Sequence, residues 1–173
     1  SEPARNGYVF SGWTVEGLEN VTTINSGANF QMPNNNVTIT ANWEEQKIAD
    51  YVTVTPQDVE EVYDGNPHAA GTATVTDKNG YELKIEYSVD GENWTTNPSD
   101  ITATNVSDST TVKVRVSNEA KYTGYIEVEE KLTITRRPVT VTAKSYQKTY
   151  NTADPTFEAD VAGTLNGDKV AYD

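Results

Sequence analysis

Hydrophobic and polar residues alternate along this chain in short runs broken by Gly, Pro, Asn and Asp. The cleanest run is Val37-Thr38-Ile39-Thr40-Ala41-Asn42-Trp43. It puts Val37, Ile39, Ala41 and Trp43 on one face and Thr38, Thr40 and Asn42 on the other, which is the two-residue period of a half-buried strand. Tyr8-Val9-Phe10 leading into Gly12-Trp13 predicts an earlier strand. Between them lies Gly- and Asn-rich chain ending in Phe30-Gln31-Met32-Pro33 and Asn34 to Asn36, where Pro and the Asn run predict a turn. About 45 residues are few for an independent core, so this piece is expected either to pack on its neighbour or to lack a part.

A second set of runs begins at Tyr51. Tyr51 to Thr55 and Val59 to Tyr63 predict short strands, the second stopped by Asp64-Gly65-Asn66-Pro67. Ala70 to Thr76 reads as a further strand, and Asp77-Lys78-Asn79-Gly80 as a tight hairpin turn. Leu83, Ile85, Tyr87 and Val89 then oppose Glu82, Lys84, Glu86 and Ser88. Asp90-Gly91 reverses the chain towards Trp94, again in hairpin fashion. Val112, Val114 and Val116 alternate with Lys113 and Arg115, and Ile126, Val128, Leu132 and Ile134 share one parity. Roughly seven short strands with no helical period predict an all-β fold, specifically an immunoglobulin-like Greek-key sandwich, with a β-grasp arrangement as the alternative.

Arg136-Arg137-Pro138 punctuates the chain, and Val139-Thr140-Val141-Thr142-Ala143 restarts much as Tyr51 to Thr55 did. Tyr51 and Pro138 stand 87 positions apart, as do Tyr63 and Tyr150. This is an internal repeat. The expected units are 1–45, 48–136 and 137–173, the first a partial β-grasp-like repeat and the last a truncated copy of the second. The stretches from Glu44 to Asp50 and from Arg136 to Pro138 read as linkers too short for free tumbling.

Composition narrows the functional classes. With 13 basic against 26 acidic residues the net charge is −13, which disfavours nucleic acid and anionic membrane surfaces as partners. Cysteine is absent, which rules out disulfides and zinc–thiolate sites. No apolar run approaches a membrane span, and no signal peptide opens the sequence, so export and anchoring signals are expected outside it.

The residues Gly7 to Trp13, Phe30-Gln31-Met32-Pro33 and Val37 to Trp43 resemble the C-terminal half of the Listeria–Bacteroides repeat, called the B repeat in internalins. Residues 51 to about 136 resemble the YDG family of bacterial adhesin repeats. The likeness rests on Val62-Tyr63-Asp64-Gly65, Tyr87-Ser88-Val89-Asp90-Gly91-Glu92-Asn93-Trp94, Asn118 to Gly124 and Leu132 to Thr135. Residues 138–173 resemble the opening of the MBG repeat, through Lys148-Thr149-Tyr150, Asp154-Pro155 and Gly163-Thr164-Leu165-Asn166-Gly167-Asp168, with Asn151 where that repeat has Gly. Together the resemblances imply a large multidomain surface protein of bacteria, extracellular, either wall-attached or secreted. They imply no ligand.

Catalytic chemistry finds little to work with. The single histidine, His68, follows Pro67 in what reads as a solvated turn, and carboxylates such as Glu82, Glu86, Glu127 and Glu129 fall on strand faces opposite hydrophobic positions. Asp77 to Gly80 starts like a calcium loop but lacks its later acidic ligand. Ser88 to Trp94 echoes a sialidase Asp-box with one residue missing. The chain is therefore expected to be no enzyme, with no catalytic residues, no metal site and no cofactor. For ligand contact the candidates are Trp94, after a hairpin tip, and Tyr122 and Tyr125, which flank Gly124 and of which one resembles a tyrosine corner. Trp13 and Trp43 fall in phase with apolar neighbours and are expected in a core. Gram-positive adhesins can also carry Lys–Asn isopeptide bonds, for which the sequence picks out no partners.

Three roles follow: a stalk or spacer that presents a distal head; a module that binds a host surface protein, mucin, immunoglobulin or glycan; or an accessory region of a secreted carbohydrate-active enzyme. The segment is expected to be monomeric within its larger chain.

Overall fold

The protein is described by a computed structural model covering residues 2–25, 27–165 and 167–171. It is all-β apart from one helical turn and two 3-10 turns. Three strands, β1 (Tyr8–Glu16), β2 (Thr23–Ile24) and β3 (Thr38–Glu45), form an N-terminal antiparallel sheet in the order β2-β1-β3. A bulge between Phe10 and Gly12 changes the parity of β1. Phe10 therefore shares a face with Trp13 and with Trp43 across the ladder, and the rings meet edge to face at 5.0 and 5.7 Å between centroids. Val15 is buried there, whereas Ile39, its partner across the ladder and expected on the dry face, is 42% exposed.

Ile48–Tyr51 make the single helical turn, α1. The central region then runs β4 (Val52–Thr55), β5 (Val59–Val62), β6 (His68–Ala69), β7 (Thr74–Asp77), β8 (Lys84–Ser88), β9 (Thr102–Ala103), β10 (Thr110–Ser117) and β11 (Tyr125–Thr135). A four-stranded sheet in the order β5-β11-β10-β8 is antiparallel except for β5, which lies parallel to β11, and two short ladders, β4-β7 and β6-β9, complete the region. Its inner face sends Val112, Val114, Val116, Leu132, Ile134 and Tyr87 into one core with Ile48, Val52 and Ala103.

Several expectations need correction here. Asp77 to Gly80 does turn, through the Asp77 carboxylate and the Tyr81 N–H at 2.8 Å, but it joins no hairpin. It carries the chain from β7, paired with β4, to β8, paired with β10. The run from Ala70 to Thr76 is broken: Ala70 still donates to Ile101 O at 2.9 Å, Gly71 lies against the backbone of Gln57, and only Thr74 onward pairs with β4. Val89 leaves the face of Tyr87 and is exposed, since Ser88 turns inward to receive the following loop. His68 is not in an open turn. It lies half-buried in β6, with Nε2 2.9 Å from Asp64 Oδ1.

Glu130 lies on the inner face of β11, 1% exposed, between Val128 and Leu132. Its Oε2 accepts the Gln57 N–H at 3.1 Å, while Oε1 has no partner among the described residues. Burial raises its pKa, and nearby Asp58 raises it further, against the bond from Gln57. A carboxyl with a raised folded pKa stabilises the fold below its ordinary value, and that contribution is lost as pH rises through the raised one. Glu130→Gln keeps the acceptor and removes the charge. It is expected to be near neutral at pH 4.5 and to stabilise by about 1–2 kcal/mol at pH 8, read as a gap in thermal midpoint between variant and wild type that widens with pH. A pH-independent gap would contradict it.

The internal repeat has a structural counterpart. β12 (Thr140–Ala143) pairs antiparallel with β13 (Ala159–Ala162) as β4 does with β7. Thr53 pairs with Thr76, and its counterpart Thr140 pairs with Ala162, one residue short of Gly163, the counterpart of Thr76. Residues 146–149, at the same offset from β5, are exposed coil. β5 is held as a strand by β11, and no strand lies alongside 146–149 among the described residues.

Candidate functional site

The outer face of the four-stranded sheet carries alternating charge. Arg115 on β10 lies opposite Glu127 on β11 and Glu86 on β8, and its Nη2 reaches Glu127 Oε2 at 3.1 Å. The same guanidinium sits 3.9 Å from the Trp94 ring centroid and 4.6 Å from that of Tyr125. Two of the three residues expected at a ligand site therefore meet around a cation that strand alternation had already turned outward.

Trp94 is delivered there by a tightly bonded loop. Asp90 accepts the Ser88 hydroxyl, the N–H groups of Glu92 and Asn93 and the Asn93 amide, all within 2.9 Å. Those bonds, led by the Asn93 amide, hold its carboxyl well below the usual range. Trp94 Nε1 donates to Gly91 O at 3.0 Å, and a single bridge from Thr95 to Tyr87 closes the reversal. Trp94 is half-buried, with one ring face covered by Arg115 and its N–H satisfied. That leaves it less free to stack on a sugar than a Trp at an open tip would be. Tyr125 is 57% exposed.

Tyr122 lies elsewhere, buried. It stacks on Tyr51 at 5.4 Å, meets Tyr81 edge-on at 6.0 Å, donates its hydroxyl to Asp77 Oδ1 at 2.6 Å and accepts from Asn79 Nδ2 at 3.0 Å. Burial and the Asp77 carboxylate push its pKa up to about 12. Burial works against ionisation of Asp77, yet the Tyr122 hydroxyl and the N–H groups of Tyr81 and Asn79 outweigh it and leave that pKa lowered. The hydroxyl is tied to a side-chain carboxylate of the turn, not to backbone as a tyrosine corner would be.

This tyrosine stands next to a junction built from the stretch expected as a linker, Glu44 to Asp50. Gln46 donates to Gly7 O at 2.9 Å, Thr123 donates to Gln46 O at 2.8 Å, and Ile48 donates to Thr123 O at 3.2 Å. Lys47 and Thr123 form a parallel bridge, and the Thr123 hydroxyl reaches Glu45 Oε1 at 2.8 Å. The segment after β3 is thus hydrogen-bonded along the loop between β10 and β11, and Ile48 plugs into the central core at 2% exposure. The strand that ends the N-terminal sheet runs into the next core with no free linker residue between them.

Residues 3–47 match the family model of the divergent InlB B-repeat domain. No curated protein and no solved structure matches the chain. The N-terminal sheet, from Tyr8 to Glu45, is the part described by that match. An InlB-type repeat marks the chain as carrying a repeat of bacterial surface-protein type.

Among the described residues there is no group of three or more His, Asp or Glu placed to hold a metal, and no helix is long and apolar enough to cross a membrane.

Proposed function

We propose that this segment is a non-catalytic stalk of a bacterial surface adhesin, in which an InlB-type repeat is followed by a YDG-like domain and an MBG-like repeat. It holds a distal head away from the cell surface. The observation that carries this reading is the junction of Gln46, Lys47 and Ile48 on Thr123. A spacer transmits length only if successive domains keep a fixed angle, and the two backbone hydrogen bonds that tie Gln46 and Ile48 to Thr123, with the buried isoleucine, oppose the hinge motion that a polar linker would permit. The recurrence of the β4-β7 ladder as β12-β13 supports serial construction. The Trp94 site supports binding less well, because its cation and its indole N–H are already engaged within the domain.

Small-angle scattering of the 173-residue chain tests the stalk. An elongated particle is expected, with a pair-distance distribution skewed by a long tail that ends at one well-defined maximum length. A compact globule, or the broad ensemble of domains tumbling independently, would overturn the reading.

A further inference from the structure

The junction also forms the wall of a cleft of about 520 Å³ between the N-terminal sheet and the central region. Arg5 enters from one side and Lys121 from the other. Neither makes an ion pair with a carboxylate among the described residues, although the chain carries a net charge of −13. Each is instead parked on an aromatic ring, Arg5 at 3.9 Å from the Tyr8 centroid and Lys121 at 4.8 Å from that of Tyr81. A ring orients a cation without consuming its hydrogen-bond donors. Trp43 lines the same space, and Glu2 is the one described carboxylate on its wall.

Two cations with free donors, an indole surface and walls drawn from two folded regions are the ingredients of a pocket for a small ring that bears an acid. We propose that this cleft binds a carboxylated sugar, the carboxylate on Arg5 and Lys121 and an apolar ring surface against Trp43. The ligand class is a single acidic residue at a glycan end, because the excess of carboxylates over the rest of the surface repels a polyanion at long range. The site needs both folded regions, so it exists only while the junction is closed. The site shares the closed junction with the stalk reading, and scattering, which reads the junction without any ligand, separates failure of the stalk from failure of the site.

The test is titration of the full chain with 3′-sialyllactose, with lactose as the neutral control, followed by tryptophan fluorescence and amide chemical shifts. Saturable binding of sialyllactose at least about tenfold tighter than lactose is expected, with shifts centred on Arg5, Trp43 and Lys121. The exposed pair Arg5→Ala with Lys121→Ala should weaken it about tenfold or more while leaving the circular dichroism and thermal midpoint unchanged. No saturation up to about 10 mM, equal affinity for lactose, or full binding by the double variant would each overturn the proposal.

Discussion

Replacing Gly7 with valine is expected to unhook the N-terminal repeat from the domain that follows while leaving both folded. Gly7 has φ of +75°, and a Cβ there would stand 2.7 Å from Thr123 Cγ2 and 3.1 Å from Thr123 N. A β-branched residue resists that backbone conformation and collides with the one residue on which the junction closes. The sheet itself starts at Tyr8 and, Ile48 apart, the central core is drawn from Val52 onward, so both can stay folded when the junction opens. A penalty of about 2 kcal/mol would open the junction roughly thirtyfold more often. Hydrogen exchange should then show protection lost at the Ile48 and Thr123 amides while β10 and β11 keep theirs, and scattering should broaden towards a hinged particle. Unchanged protection at both amides would mean that the junction is not held where its hydrogen bonds lie.

That junction shows where sequence reading stops. The strands are legible because alternation is a local signal: Thr38 to Trp43, Val112 to Val116 and Ile126 to Ile134 all lie in ladders. The contact between Gln46 and Thr123 joins backbone groups 77 residues apart and leaves no side-chain pattern in either stretch. Local signals also fail to say which sheet a strand joins. Asp77-Lys78-Asn79-Gly80 carries the residues of a tight turn whether the next strand returns beside β7 or crosses to β10, and here it crosses. The bulge at Ser11 was equally silent, although it is what brings Phe10 round to the tryptophans.

Other features carry a local signal. Glu130 has the same parity as Ile126, Val128, Leu132 and Ile134, so alternation alone points its carboxyl inward. Of the candidate site, the position of Trp94 at a loop tip and of Arg115 on an outward face were both readable. Their meeting was not, because it depends on the register that sets β10 beside β8. Tyr122 and Tyr125 differ by three positions and part company because one precedes the last strand and the other begins it. The first lodges among aromatic rings at the junction, and the second stays on the charged face.

Glu130 matters most in company with Gly71, and Gly71→Ala should be among the most damaging single-methyl additions in the central region. The chain passes from β4 in one ladder to β5 in the four-stranded sheet through Pro56, Gln57 and Asp58. A Cβ on Gly71 would stand 2.0 Å from Gln57 O and 3.0 Å from Gln57 C. Nothing flexible can swing aside, because the obstacle is backbone and is pinned from behind. Gln57 N–H is held by Glu130 at 3.1 Å, and Asp58 Oδ1 accepts the Lys131 N–H at 2.7 Å. Overpacking against a fixed segment costs about 3 kcal/mol. At roughly 4–8 °C per kcal/mol for a domain of this size, that is a fall of about 12–24 °C in its thermal midpoint. If the clamp is what makes the methyl intolerable, releasing it should soften the blow. Gly71→Ala combined with Glu130→Ala should then cost less than the sum of the two single changes, by about 1 kcal/mol. Strict additivity would place the relief elsewhere in the core and deny Glu130 its part in holding the crossover.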